Sequence, residues 1–209
     1  MDVCKICNEL GGHKPNCPIR TFSVKEGGAR DYSGRELELD LFDRVNTADP
    51  RYKAELSRVM TDRDSGYVPR QQALELVKRF QPSSPTNPKK DFFRELLIGV
   101  QDELGIDIKK NPDNVRGFTA VGTPLDKFHG VDAFISYVDQ NREYVVTLDA
   151  TLRPDKLQDG YKADLMISDL PAPEDNEDGY LEAVSTYAGQ IAEKIKQDKE
   201  RERGYRRAG

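Results

Sequence analysis

The spacing of apolar residues along this chain changes from helical to strand-like and back. Leu37, Leu41 and Val45 recur every four residues behind Ser33, a residue suited to capping a helix. Asp49-Pro50 reads as a cap followed by proline in the first turn, and it opens a second helix carrying Leu56, Val59 and Met60. Val68-Pro69 opens a third, with Leu74, Val77 and Phe80 on one side. Residues 35–81 therefore predict a small helical hairpin or three-helix unit. The segment 81–88 is rich in proline, serine and asparagine and reads as a loop or linker. From Asn87-Pro88 a longer helix is expected, with Phe92, Phe93, Leu96, Leu97, Val100 and Leu104 forming a stripe broad enough to pack on a sheet.

Strand-like runs follow at 117–122, 131–138, 144–152 and 163–167, rich in β-branched and aromatic residues and separated by turn formers. A last helix is expected over 178–203, with Leu181, Val184, Ala188, Ile191 and Ile195 on one face. The order of helix, four strands and helix predicts an α+β fold. In it, an α/β sandwich with a mostly antiparallel four-stranded sheet is flanked by helices and preceded by a zinc finger and a small helical region.

Composition sharpens this outline. The chain has 209 residues, of which 33% are charged and 36% hydrophobic, enough for a modest core plus solvated helices and linkers. The expected organisation is a finger over 1–20, a linker over 21–34, the helical region over 35–81 and the α/β domain with a basic C-terminal helix over 89–209. No apolar run approaches the ~20 residues of a membrane helix, and the N-terminus lacks the layout of a secretory signal. The expectation is a soluble cytoplasmic protein that engages no membrane. A net charge of -5 does not advertise a nucleic-acid binder. Residues 194–207 nevertheless carry seven Lys or Arg against three Asp or Glu, so phosphate contacts would come from that tail or from the N-terminus.

All three cysteines fall within the first 17 residues, with one of the two histidines among them. Cys4, Cys7, His13 and Cys17 form the string Cys-x2-Cys-x5-His-x3-Cys. Four such donors close a tetrahedral structural Zn²⁺ site, whose binding energy would fold a segment too short for a core. An odd cysteine count cannot pair fully, which argues against a disulfide framework. The segment resembles a zinc knuckle, Cys-x2-Cys-x4-His-x4-Cys, a module of single-strand nucleic-acid binders. Here the histidine stands one residue late, and Lys5, Ile6 and Leu10 occupy positions where that family stacks bases on aromatic rings. A zinc-stapled tip that docks on a protein fits the same residues. A second metal motif fails: an EF-hand aligned on Gly66 would place Thr61, Arg63 and Ser65 as ligands and Gln72 at the bidentate Glu.

The carboxylates of the central hairpin carry the remaining chemistry. If Gln140-Asn141 form the turn, Asp132 falls opposite Asp149. A turn at Asn141-Arg142 leaves the two diagonal on one face, and a three-residue loop separates them. Paired carboxylates within apolar strands repel, and a Mg²⁺ or Mn²⁺ ion would relieve the conflict. Solvent-facing strand ends are the plainer alternative.

The segments around Glu95, Asp126, Asp132 and Asp149 resemble the core of the PD-(D/E)XK nuclease superfamily over roughly residues 89–170. In that family a helix bearing a glutamate precedes a strand meander with an aspartate and an acidic-x-lysine motif. The resemblance implies that Asp132 and Asp149 hold Mg²⁺ or Mn²⁺, with Glu95 and Asp126 as accessory carboxylates, and that the metal activates water against a phosphodiester. Thr151 stands where the family has its lysine, so a cation would have to come from Lys127, Lys156 or Lys162. His129 reads as a residue of a His-Gly turn.

Two readings stay open. One is a metal-dependent endonuclease whose zinc tip and basic tail grip nucleic acid. The other is a non-catalytic zinc-finger adaptor that binds protein or nucleic acid on a degenerate nuclease-like platform. Oligomeric state is open in both.

Overall fold

The computed structural model describes residues 33–107, 110–111, 113–152, 162–168 and 170–208. The proposed zinc ligands Cys4, Cys7, His13 and Cys17 lie outside these residues, as does Lys156. Three short helices come first: α1 (Gly34–Phe42), α2 (Pro50–Val59) and α3 (Arg70–Arg79). Then follow α4 (Asp91–Glu103), β1 (Val115–Thr119), α5 (Pro124–His129), β2 (Ala133–Asp139), β3 (Arg142–Ala150), β4 (Leu165–Ile167) and α6 (Glu177–Ala208).

The local signals act where expected. Ser33 and Glu36 form a reciprocal capping box on α1, and Asp49 accepts from the Arg51 amide ahead of Pro50. Helix α1 ends at Phe42 because Asp43 turns to a φ of 66°, so Val45 is buried beyond the helix beside Tyr52 and Leu76.

The sheet is mixed, in the order β1-β2-β3-β4. The first two pairings are antiparallel and the β3–β4 pairing is parallel. The β2–β3 hairpin turns at Gln140 and Asn141, both at positive φ, which suits a two-residue turn matched to strand twist. That turn sets Asp139 opposite Arg142 and Ala133 opposite Leu148. Of the registers open from sequence, the fold uses the one centred on Gln140-Asn141.

Alternation along the strands divides the core between two faces. On one, Ile135, Val146 and Leu148 pack against Leu37 and Leu41 of α1, Phe93 and Leu97 of α4, and Val184 and Ile191 of α6. On the other, Phe118 and Phe134 stack at 4.9 Å and pack with Ala73 and Val77 of α3 and Leu125 of α5. The early helices thus bury their apolar sides on both sheet faces and share the core of the α/β unit.

Two sequence expectations change. The stretch from Pro124 to His129 is a helix capped by Thr123 and ended by Gly130 at a φ of 59°, where a turn was read. On α6 the buried face runs through Tyr180, Val184, Ala188, Ile191 and Ile195, while Leu181 is 51% exposed. Leu181 follows Tyr180 by 100° of helical rotation, which carries it off the contact face. No helix among the described residues is long and apolar enough to cross a membrane.

Candidate metal centre

Carboxylates from separate elements meet at one end of the sheet. Asp132 sits just before β2 at the point where the hairpin ladder breaks. Its amide donates to Leu148 O at 2.8 Å, and its Oδ2 accepts from the Ala150 amide at 2.8 Å. The side chain therefore takes up a backbone donor of β3 and is held pointing inward, 2% exposed. Asp126 lies in the first turn of α5, where its Oδ2 accepts from the Gly122 amide at 2.7 Å. Glu38 comes from α1. One oxygen from each of Glu38, Asp126 and Asp132 lies within 4.8 Å of the other two.

Arg35, one turn before Glu38, joins this group. Its Nη1 donates to Glu38 at 2.7 Å and to Asp126 at 2.9 Å. Asp149 on β3 is buried, and its charge acts on both Asp132 and Glu38. It shares its strand face with Thr147 and Thr151, so this end of the sheet carries a buried polar strip.

The electrostatics follow from crowding like charges in a dry place. Burial pushes the Asp132 carboxyl up to about 9; the charge of Glu38 adds to this, the Ala150 amide opposes it, and Asp149 and Asp126 contribute further. Burial also raises Glu38, against the opposing hydrogen bond from Arg35. A cation delivered to these oxygens would reverse both tendencies.

Three of the four carboxylates read from sequence are at or beside this point: Asp126, Asp132 and Asp149. Glu95 is not among the converging oxygens. It lies on α4, and the Tyr180 hydroxyl of α6 donates to it at 2.6 Å. Of the lysines considered as the missing cation, Lys127 sits over the Phe128 ring at 4.7 Å, and Lys162 donates to Phe128 O at 3.1 Å. Among the described residues the cation at the cluster is Arg35; neither it nor Glu38 is among the candidates expected from sequence. A signal for Glu38 was available. It precedes Leu41 and Phe42 by three and four residues, so it lies on the inward face of α1, an unusual place for an acid.

His129 is buried, with Nε2 at 2.8 Å from Val68 O, and fastens α5 to the start of α3. The C-terminal helix is tied to the hairpin by ion pairs of both polarities: Lys199 pairs with Asp139 at 2.8 Å, and Glu202 takes Arg142 at 2.6 Å.

Comparison of the chain with protein-family models, with curated proteins and with solved structures found no match.

Proposed function

We propose that this chain is a divalent-metal-dependent phosphodiesterase acting on nucleic acid, with Glu38, Asp126 and Asp132 as the metal ligands and Asp149 beside them. The observation that carries this reading is the convergence of three carboxylates on a buried Asp132. Hard oxygen donors of this kind suit Mg²⁺ or Mn²⁺. A metal bound there would polarise a phosphoryl oxygen and lower the pKa of a coordinated water.

The chain's own residues set the ligands. The Ala150 and Gly122 amides each fix one carboxylate oxygen, so Asp132 and Asp126 are oriented before any ion arrives. Arg35 spans Glu38 and Asp126 and brings to the cluster the positive charge that Thr151 does not. Its guanidinium suits the equatorial oxygens of a phosphate. The N-terminal Cys4, Cys7, His13 and Cys17 would bind Zn²⁺ as a separate structural site.

The adaptor reading has one observation in its favour. Thr151 is buried, and its amide donates to Ile167 O at 3.0 Å, so no ammonium stands two residues after Asp149. A single experiment separates the two. Mg²⁺ and Mn²⁺ are titrated into the full-length chain by calorimetry, and cleavage of single- and double-stranded DNA and RNA is followed alongside. Metal binding and cutting that both vanish in Asp132→Asn support the hydrolase. Binding without cutting would leave the adaptor, and absence of both would discard the metal centre.

A further inference from the structure

A cleft of about 330 Å³ opens beside the carboxylate cluster, between α2 and the loop that leads into α5. Its walls include Tyr52, Lys53, Met60, Gly122, Lys127 and Phe128. Gly122 belongs to both places. Its amide donates to Asp126, and a Cβ added to it would lie 3.3 Å from Arg35 Nη2. Cleft and cluster are therefore separated by one residue without a side chain.

The lining is amphipathic in a specific way. Met60 and the Phe128 ring offer an apolar surface, and Phe128 is held edge-on by Tyr67 at 5.6 Å. Lys53 on α2 and Lys127 on α5 are both exposed and neither has a carboxylate partner among the described residues; Lys127 Nζ lies over one face of the Phe128 ring, 4.7 Å from its centroid. This contrasts with Lys78, Lys194 and Lys199, which all form ion pairs. Tyr52 is 1% exposed, and its hydroxyl is a buried side-chain atom with no hydrogen-bond partner among the described residues.

We infer that this cleft is a nucleotide subsite, which holds one unstacked nucleotide of a single-stranded nucleic acid next to the phosphate presented to Glu38, Asp126 and Asp132. The volume stands at the lower end of small-ligand sites and suits one nucleotide unit. A base against Met60 and Phe128 follows the usual recognition of single strands by apolar and aromatic side chains, with lysines tracking the backbone. A duplex keeps its bases stacked and would not enter. The inference rests on the hydrolase reading for the phosphate at the cluster, and on the cleft alone for the nucleotide.

The test uses the full-length chain and a single-stranded pentanucleotide carrying one 5-iodouridine. After irradiation, the crosslinked peptides are identified by mass spectrometry. Crosslinks at Met60 or Phe128, the half-buried lining residues, are expected. Their yield should fall about tenfold in the double variant Lys53→Ala/Lys127→Ala, the loss of roughly one charged hydrogen bond. Thr47→Trp, which fills the cleft from a half-buried wall position, should abolish them. Should that variant fail to fold, the exposed lysine pair still decides. Crosslinks confined to residues outside the cleft, or yields unchanged in the lysine pair, overturn the inference. The crosslinking is run in parallel with EDTA and with Mn²⁺: crosslinks at the cleft that persist in EDTA while calorimetry shows no Mn²⁺ binding tell a failed metal centre apart from a failed cleft.

Discussion

Replacing Asp132 by Asn keeps the side chain's shape and its acceptor for the Ala150 amide but removes the ionisable proton. The folded protein raises this carboxyl to about 9, whereas an unfolded chain leaves it near 3.9. The folded state therefore holds the proton more tightly. The associated stability is fully present below the unfolded value and is lost as pH rises toward the folded one. pH 7 lies about three units above the ordinary value of this carboxyl and below its folded one, so folding holds it neutral where the unfolded chain would ionise it. At about 1.4 kcal/mol per unit, the cost of keeping it neutral reaches a ceiling of about 4 kcal/mol.

Relaxation and the coupled response of Glu38 reduce that ceiling, so the metal-free variant is expected to gain about 2 kcal/mol at pH 7. For a chain of this size that is a rise in Tm of about 4–8 °C. At pH 4 the gain should shrink to about 0.5 kcal/mol or less, since the folded carboxyl is then protonated and the unfolded one, close to its own pKa, is about half protonated. Thermal melts of both proteins from pH 4 to 9, without divalent cation, measure the difference directly. With Mn²⁺ the ranking should reverse, because only the native carboxylate gains from the ion. A variant less stable than the native protein at pH 7, or an offset that does not change with pH, would refute the reasoning about a buried and crowded carboxyl.

Arg35→Ala removes the guanidinium that spans Glu38 and Asp126. Because Arg35 is 46% exposed, solvent screening limits the loss to about 1 kcal/mol, read as a lower Tm at low salt that narrows in 1 M NaCl. The same variant should bind Mn²⁺ several-fold more tightly in calorimetry, since one competing cation is gone. Gly99→Ala places a Cβ 2.8 Å from the Ala188 Cβ where α4 crosses α6. Overpacking there should outweigh the gain in helix propensity and lower stability by about 1 kcal/mol in urea titrations. Leu181→Glu, on the exposed side of α6, should stay within about 0.5 kcal/mol of the native protein by the same titration.

Much of the architecture was legible from one-dimensional signals because short-range physics carries it. Capping by Ser33 and Asp49, proline at the start of α2, the apolar stripe of α4 and the alternation in β2 and β3 act within a few residues. The hairpin arithmetic placed Asp132 and Asp149 on one face in either two-residue register and on opposite faces with a three-residue loop. Positive φ at Gln140 and Asn141 then selected one of those registers. Helix α5 is not legible because six residues are too few to show a period, and Gly130, its C-cap, gives the same signal as the His-Gly turn expected there. On α6, Leu181 was misplaced because hydrophobicity alone does not say which of two neighbouring residues meets α4.

The sequence by itself determined the longer helices and the strand alternation, since both follow from backbone periodicity, and it offered registers that bring Asp132 and Asp149 together, of which the structure takes one. Only the tertiary structure decided the composition of the carboxylate cluster. Glu38 and Arg35 stand about ninety residues from Asp126 and Asp132 along the chain. They reach the cluster because the buried face of α1 packs on the sheet beside α4. Glu95, with an equally suggestive position in the sequence, is bound instead by Tyr180 from the far end of the chain. Local pattern determines which way a side chain leaves its own element; which elements end up facing each other is decided by the packing of apolar faces, and the chemistry at their edges follows from that packing.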